Sequence, residues 1–187
     1  ATCDSEQNRA FRQDAEDWAK VADRLWVWDY VTSFRHYLVP FPNLRLRDDN
    51  IQFFIKNNVV GIFEQDVYTT LSGEFNELSG YLNAKLLWDP NYGEDRAINE
   101  FLEAVYGRAA KPIRAYLDML HDKVEKENIH CDIWIGPKEA PYLTEDVMAR
   151  GEKLWNRAEA AVANEPQVLE RVKIARLCHE YSWLEQN

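Results

Sequence analysis

The sequence of 187 residues predicts an α/β protein in which a few βα units are followed by an α-helical region. Two short apolar segments, 25–28 and 59–63, are typical of buried strands, and each ends on a carboxylate. Helical periodicity before and between these segments gives the helix–strand–helix–strand order of a βαβ unit. Nearly all of the chain after residue 93 is also periodic. We therefore divide it into residues 1–92, the βα units, and 93–187, the helical region.

The first βα unit begins with an amphipathic helix, whose first turn Asp4 or Ser5 can cap through a side-chain oxygen. Apolar residues then recur at helical spacing between Phe11 and Leu25. The first strand, residues 25–28, is followed by Asp29. Its bulky aromatic and β-branched residues show no polar alternation, which favours a strand that is buried on both faces.

The second βα unit begins with a helix that Asp48 opens and residues 57–58 close. The second strand, residues 59–63, follows and ends on Glu64. A right-handed crossover between the two strands would make them parallel neighbours, with both carboxyl ends at the same edge. We therefore expect Asp29 and Glu64 to share that edge of the sheet.

The rest of the chain predicts helices joined by a loop or short extended segment at residues 129–143. A complete (β/α)₈ barrel usually needs about 250 residues, and this sequence has only two convincing strands. The chain is therefore either a small α+β domain or the last βα units of a barrel that is incomplete in this chain, followed by an α-helical bundle. The predicted helices lie near residues 75–88, 94–107, 113–124, 145–163 and 167–184.

Composition and motifs exclude several classes of function. With 22 basic and 32 acidic residues the net charge is -10, and no basic stripe could neutralise a phosphate backbone. No apolar run approaches the roughly 18 residues that span a bilayer. Three scattered cysteines, including Cys3, do not make a disulfide framework. The histidine, cysteine and aspartate at residues 130–132 could each bind a metal, but adjacent residues cannot easily point at one ion. Nucleotide-binding and serine-hydrolase motifs are missing, so we expect no metal and no cofactor.

Glu64 and Asp29 are the strongest candidate site residues, because the carboxyl ends of strands are where α/β sheets and barrels place ligands. Asp29 could alternatively organise its loop as a hydrogen-bond acceptor. Two carboxylates beside aromatic rings suit glycoside hydrolysis, in which one protonates the leaving oxygen and the other attacks or activates water. Aromatic rings can stack on sugars, although each ring could equally belong to the core. The candidate ring-bearing residues are Trp28, Tyr30, Phe34, His36, Tyr37 and Phe41.

Five segments, read in order, resemble glycoside hydrolase family 163, which was first catalogued as a domain of unknown function and is common in gut Bacteroidetes. They are LWVWDYV at 25–31, YLVPFPNL at 37–44, VGIFEQ at 60–65, YLNAKLLWDP at 81–90 and FLEAVYG at 101–107. The resemblance covers about residues 3–125 and corresponds to the C-terminal half of the catalytic region. Residues 126–187 carry no recognisable motif.

The resemblance implies a (β/α)₈ barrel with C-terminal helices and the activity of a retaining endo-β-N-acetylglucosaminidase on complex N-glycans. Members use two glutamates. Glu64 would be one of them, most plausibly the nucleophile, while the acid/base would come from an earlier strand that this sequence lacks. The substrate-binding residues would be Asp29, Tyr30, Trp28, Gln65, His36 and Tyr37.

An incomplete barrel has consequences for activity and association. We expect the chain alone to be inactive, and to associate with the missing N-terminal barrel segment or with a second copy, because exposed strand faces are normally covered. The family analogy suggests the periplasm or the cell surface. Two alternative functions stay open, a non-catalytic glycan-binding module and a helical interaction domain.

Overall fold

The computed structural model describes residues 4–70 and 72–187, which form a mixed α/β protein that is mostly helical. The predicted α/β class and the positions of the helices are confirmed, whereas the described residues show no barrel and do not confirm the helical bundle. None of the helices in the described part of the chain is both long and apolar enough to cross a membrane. In chain order the elements are α1 (Glu6–Ala19), β1 (Leu25–Tyr30), α2 (Arg47–Lys56), β2 (Val59–Gln65), α3 (Asn76–Trp88), α4 (Glu94–Tyr106), α5 (Ala110–Lys126), α6 (Glu145–Ala161) and α7 (Pro166–Gln186), with 3₁₀ turns at Leu44–Leu46 and Gly107–Ala109.

The sheet consists of β1 and β2, which pair in parallel as the sequence predicts. Asp29 lies opposite Glu64, and Tyr30 lies opposite Gln65 in the next register position. An irregularity after Leu25 shifts the register at the other end of the strands. The expectation that two acidic strand ends share one edge is therefore confirmed.

The prediction that both faces of the strands are buried is wrong. Along β1, half-buried residues alternate with exposed ones, and Trp28 is 63% exposed. The reason is that, in the described part of the chain, helices pack on one face of the sheet, the covered face, which includes Val27, Asp29 and Glu64. Aromatic content does not distinguish a covered strand face from an uncovered one. The other face, called the open face below, carries Trp26, Trp28, Tyr30, Gly61, Phe63 and Gln65.

Helix α1 lies at the periphery. Ser5 caps it as predicted, because its Oγ accepts from the backbone N–H of Asn8 at 3.1 Å. None of its residues is buried, and the Phe11 ring contacts the ring of Phe54 in α2 edge-on. The Asn58 side chain, just before β2, donates to the backbone carbonyl of Ala19, at the end of α1, and to that of Ala22, in the segment that follows. The helix is thus joined to the sheet by contacts at its surface.

The hydrophobic core lies among the helices, where α3 packs on α4, α4 on α5, α5 on α6, and α6 on α7. Trp155 of α6 is its largest fully buried side chain and packs against the rings of Phe75 and Tyr116. Burying such a side chain stabilises the fold by about 2–3 kcal/mol. Stability therefore comes mainly from the helical region rather than from the small sheet.

The loop after β1 is fastened to α5 by polar contacts. Arg45 makes ion pairs with Asp118, Asp122 and Glu125, at 2.7, 2.9 and 3.1 Å, along one side of the helix. Beside it, the backbone N–H of Leu44 donates to Nε2 of the buried His121 at 3.0 Å. The Tyr142 hydroxyl, beyond α5, donates to the Pro40 carbonyl. These contacts hold the loop that carries the sheet edge against the helical region.

Candidate functional site

The carboxylates of Asp29 and Glu64 lie on the covered face of the sheet, next to the first residue of α2, Arg47. Arg47 is 3% exposed, which is unusual for a guanidinium. Its charge interacts with Glu64, Asp29, Asp66 and, in the loop before α3, Glu74. The sheet edge is thus built as several carboxylates around one buried cation.

Arg47 is held by oxygen atoms of four residues, two in the loop after β1 and two in α3. Its Nη1 donates to Oδ1 of Asn83 at 2.6 Å, and its Nη2 donates to the Val31 carbonyl, Oδ1 of Asn43 and Oγ of Ser79. The Nε atom has no hydrogen-bond partner among the described residues. Burial lowers the pKa of Arg47, although the surrounding carboxylates oppose this effect. The acceptors fix the guanidinium in position.

Glu64 has the proton affinity of a carboxyl that is removed from water. Burial, and to a lesser degree the negative charges of Asp29 and Asp66, raise the pKa of Glu64 to about 7, while Arg47 opposes the rise. Its Oε2 atom is buried and has no hydrogen-bond partner among the described residues. At neutral pH this carboxyl is therefore partly protonated, which suits a group that gives and takes a proton.

Sequence reasoning missed three members of this cluster, Arg47, Asp66 and Glu74. Burial raises the pKa of Glu74 to about 8, and a hydrogen bond from the Phe41 backbone opposes the rise. Glu74 lies late in the loop after β2, whereas the strand-end rule selects only residues next to the end of the strand. A signal for Arg47 was present, because a cation in the first helical turn is unfavourable with the helix dipole unless other contacts require it.

Three of the predicted binding residues lie on the other face of the sheet. Trp28, Tyr30 and Gln65 belong to the open face, and the indole N–H of Trp28 donates to Oε1 of Gln65 at 2.8 Å. The Trp28 ring also contacts Phe63 edge-on, with centroids 4.8 Å apart. The structure therefore does not bring these three side chains together with those of Asp29 and Glu64.

His36 and Tyr37 are held by different neighbours. Nδ1 of His36 is hydrogen-bonded to the hydroxyl of Tyr181 in α7, so this imidazole faces the C-terminal helix. Tyr37 contacts the rings of Phe34 and Tyr68, with centroids 6.0 and 6.4 Å away. Only Tyr37 of the two joins the aromatic side chains near the sheet edge.

These side chains form a group of five rings, called the aromatic cluster below, with Phe34 at its centre. The centroid of Phe34 lies 5.4 Å from Tyr30, 6.3 Å from Tyr68 and 6.2 Å from Trp134. Sequence reasoning missed Tyr68 and Trp134. Trp134 is about 100 residues from Phe34 in the chain, and no local pattern links them. The members are Tyr30, Phe34, Tyr37, Tyr68 and Trp134.

Among residues 4–70 and 72–187, no group of three or more histidine, cysteine, aspartate or glutamate side chains is arranged to hold a metal ion. Cys3 lies outside the described residues. Two surface hollows, one between α5 and α6 and one beside α1, are lined by none of the predicted site residues. The groups at the sheet edge that can carry chemistry are the carboxylates, Arg47 and the aromatic rings.

Comparison with known proteins gives one match. Residues 1–118 match the family model described as Domain of unknown function (DUF4838). No curated protein and no solved structure matches the chain. The matched residues include both strands, Arg47 and every predicted site residue, whereas Trp134 lies beyond them.

Proposed function

We propose that this chain, which belongs to the DUF4838 family, is the C-terminal portion of a glycoside hydrolase similar to family 163. The substrate class would be complex N-glycans, cleaved by a retaining endo-β-N-acetylglucosaminidase mechanism. The observation that carries the proposal is the carboxyl of Glu64, which lies at the carboxyl edge of a parallel strand pair, opposite Asp29, with a pKa raised to about 7. A glycosidase acid needs this combination of place and proton affinity.

In the proposed mechanism Glu64 protonates the oxygen of the leaving sugar. The resemblance favours the nucleophile role, but a nucleophile must be ionised, and a carboxyl with a pKa of about 7 better suits the acid/base. Asp29 acts indirectly, because its negative charge raises the proton affinity of Glu64. The nucleophile would be a second carboxylate, about 5 Å from Glu64 as in retaining enzymes, and would come from another barrel strand.

The open face of the sheet supports a larger assembly. Trp26, Trp28 and Phe63 are more than half exposed on a sheet of two strands, and a monomer seldom leaves such an apolar patch uncovered. We propose that another segment of the longer polypeptide covers this face. Asp29 and Glu64 lie on the opposite face, so a substrate would reach them past the strand ends, at the carboxyl edge of the sheet. Tyr30 and Gln65, the last residues of the two strands, would border that approach.

A second candidate function is glycan binding without cleavage. It is favoured by the aromatic cluster, in which Tyr68 and Trp134 are well exposed. In this case Glu64 would organise the sheet edge, and its replacement would leave binding unchanged.

The test compares this chain with the longest natural polypeptide that contains it, using a biantennary complex N-glycan and mass spectrometry of the products. We expect no release by the 187-residue chain. The longer polypeptide should release glycan, and Glu64→Gln should reduce its turnover about 10²–10⁴-fold, the usual contribution of a general acid or base. Glu103→Gln, at an exposed position on α4, is the matched control. Equal turnover in Glu64→Gln, or rapid turnover by the short chain, would contradict the proposal.

A further inference from the structure

The segment between α5 and α6 crosses back to the sheet edge and is fixed there by its backbone. The backbone N–H of Phe34 donates to the Ile133 carbonyl at 2.7 Å, and the Ser33 hydroxyl donates to the Ile135 carbonyl at 2.8 Å. These two carbonyls flank Trp134. The chain on both sides of the indole is therefore attached to the loop after β1.

Trp134 is exposed although its neighbours are not. Cys131 and Ile135 pack against the helical core, while 60% of the Trp134 surface remains accessible. Its backbone N–H donates to Oδ1 of Asp132 at 2.7 Å, which adds a third local constraint. The segment is thus held in a conformation that partly buries its other apolar residues and leaves the Trp134 ring exposed to solvent.

Tyr68 is a second exposed side chain whose ring contacts that of Phe34. It follows β2, and 69% of its surface is accessible. The rings of Tyr68 and Trp134 are inclined to that of Phe34 by 49° and 53° rather than stacked on it. Two exposed rings therefore contact a partly buried one at the carboxyl edge of the sheet.

The chemistry of the aromatic cluster matches a sugar better than an ion. Its five members supply apolar ring faces, three phenol hydroxyls and one indole N–H, but no charge. Arg35, in the same loop, is paired with Glu139 at 3.1 Å. A pyranose ring likewise combines apolar and polar groups, with C–H groups on its faces and hydroxyls around its edge.

We propose that Trp134 and Tyr68, together with Phe34, form a subsite that binds a pyranose ring of a glycan. This inference rests on the proposed carbohydrate function and adds that the region beyond the family match supplies part of the binding surface. Phe34 contacts Tyr30, which ends β1 beside Asp29. A glycan on this subsite would therefore extend toward the strand ends.

The experiment measures binding of a biantennary complex N-glycan to the intact 187-residue chain by isothermal titration calorimetry. Trp134→Ala and Tyr68→Ala should each weaken binding about three- to tenfold, which corresponds to one lost ring contact. Trp88→Ala is the matched control, because Trp88 at the end of α3 is also highly exposed but lies outside the aromatic cluster. Circular dichroism verifies that each variant is folded.

The outcomes separate this inference from the proposed function. Weaker binding in Trp134→Ala, with unchanged binding in Trp88→Ala, supports the subsite whether or not the longer polypeptide is a hydrolase. Absence of measurable binding at millimolar glycan, or equal affinity in Trp134→Ala and Trp88→Ala, would overturn the subsite. Sedimentation that shows self-association lost in Trp134→Ala would overturn it in favour of a protein contact.

Discussion

Replacement of Glu64 by glutamine is expected to stabilise the protein at pH 8 and to change its stability little at pH 4. The pKa of Glu64 is about 7 in the folded chain, against 4.5 for an ordinary glutamate. Between these values the folded protein holds a proton that the unfolded chain has released. The free energy of unfolding therefore falls as pH rises through this window, and the full cost of the buried charge is present above pH 7.

The size of the effect follows from the two pKa values. Each pH unit between them corresponds to about 1.4 kcal/mol, so ionised Glu64 costs about 3 kcal/mol of stability above pH 7. Glutamine has the same shape and no charge, and it avoids this cost. The stabilisation should be nearly zero below pH 4.5 and should increase until about pH 7.

The assay is urea denaturation of the wild type and Glu64→Gln at several pH values between 4 and 8. Glu103→Gln removes one negative charge from an exposed position and controls for the change in net charge. If the stabilities of wild type and Glu64→Gln differ by the same amount at every pH, Glu64 is not in the environment described above.

Two further predictions concern stability. Arg47→Met should destabilise the fold by about 3–5 kcal/mol, as expected when one partner of a buried charge network is removed. The loss of stability should be larger at pH 8 than at pH 5, because Glu64 is protonated at pH 5. Urea denaturation at both pH values measures this difference, and an equal loss at the two pH values would contradict the prediction. Gly151→Ala should cost about 1–3 kcal/mol, because the new Cβ would lie 2.7 Å from the ring of buried His179. Gly80→Ala, in the exposed part of α3 with no atom near the new Cβ, should instead stabilise by about 0.5–1 kcal/mol, so a thermal shift of the same sign in both variants would refute this pair.

The sequence was sufficient to predict the parallel pairing of the strands. Two apolar segments with a helix between them leave few connections, and a crossover brings their carboxyl ends together. The register that places Asp29 opposite Glu64 follows from that arrangement. Helix starts were also readable where a local hydrogen bond defines them, as with the cap at Ser5.

Features that depend on distant parts of the chain could not be predicted in this way. Whether the open face of the sheet is covered depends on which helices reach it. The composition of a strand would be the same with that face covered or uncovered, so it does not predict the answer. The burial of Arg47 requires acceptors as far away in sequence as Asn83. Trp134 reaches the sheet edge through a hydrogen bond between Phe34 and Ile133, for which neither segment has a local signal.

The ion pairs between Arg45 and α5 mean that the family boundary and the folding unit do not coincide. The match ends at residue 118, in the middle of α5. A polypeptide that stopped there would lose His121, the acceptor for the Leu44 N–H, and Tyr142, the donor to Pro40. The smallest fragment that keeps these contacts therefore includes α5 and the segment after it. Variants of the strand-edge residues should be studied in a polypeptide that contains this region.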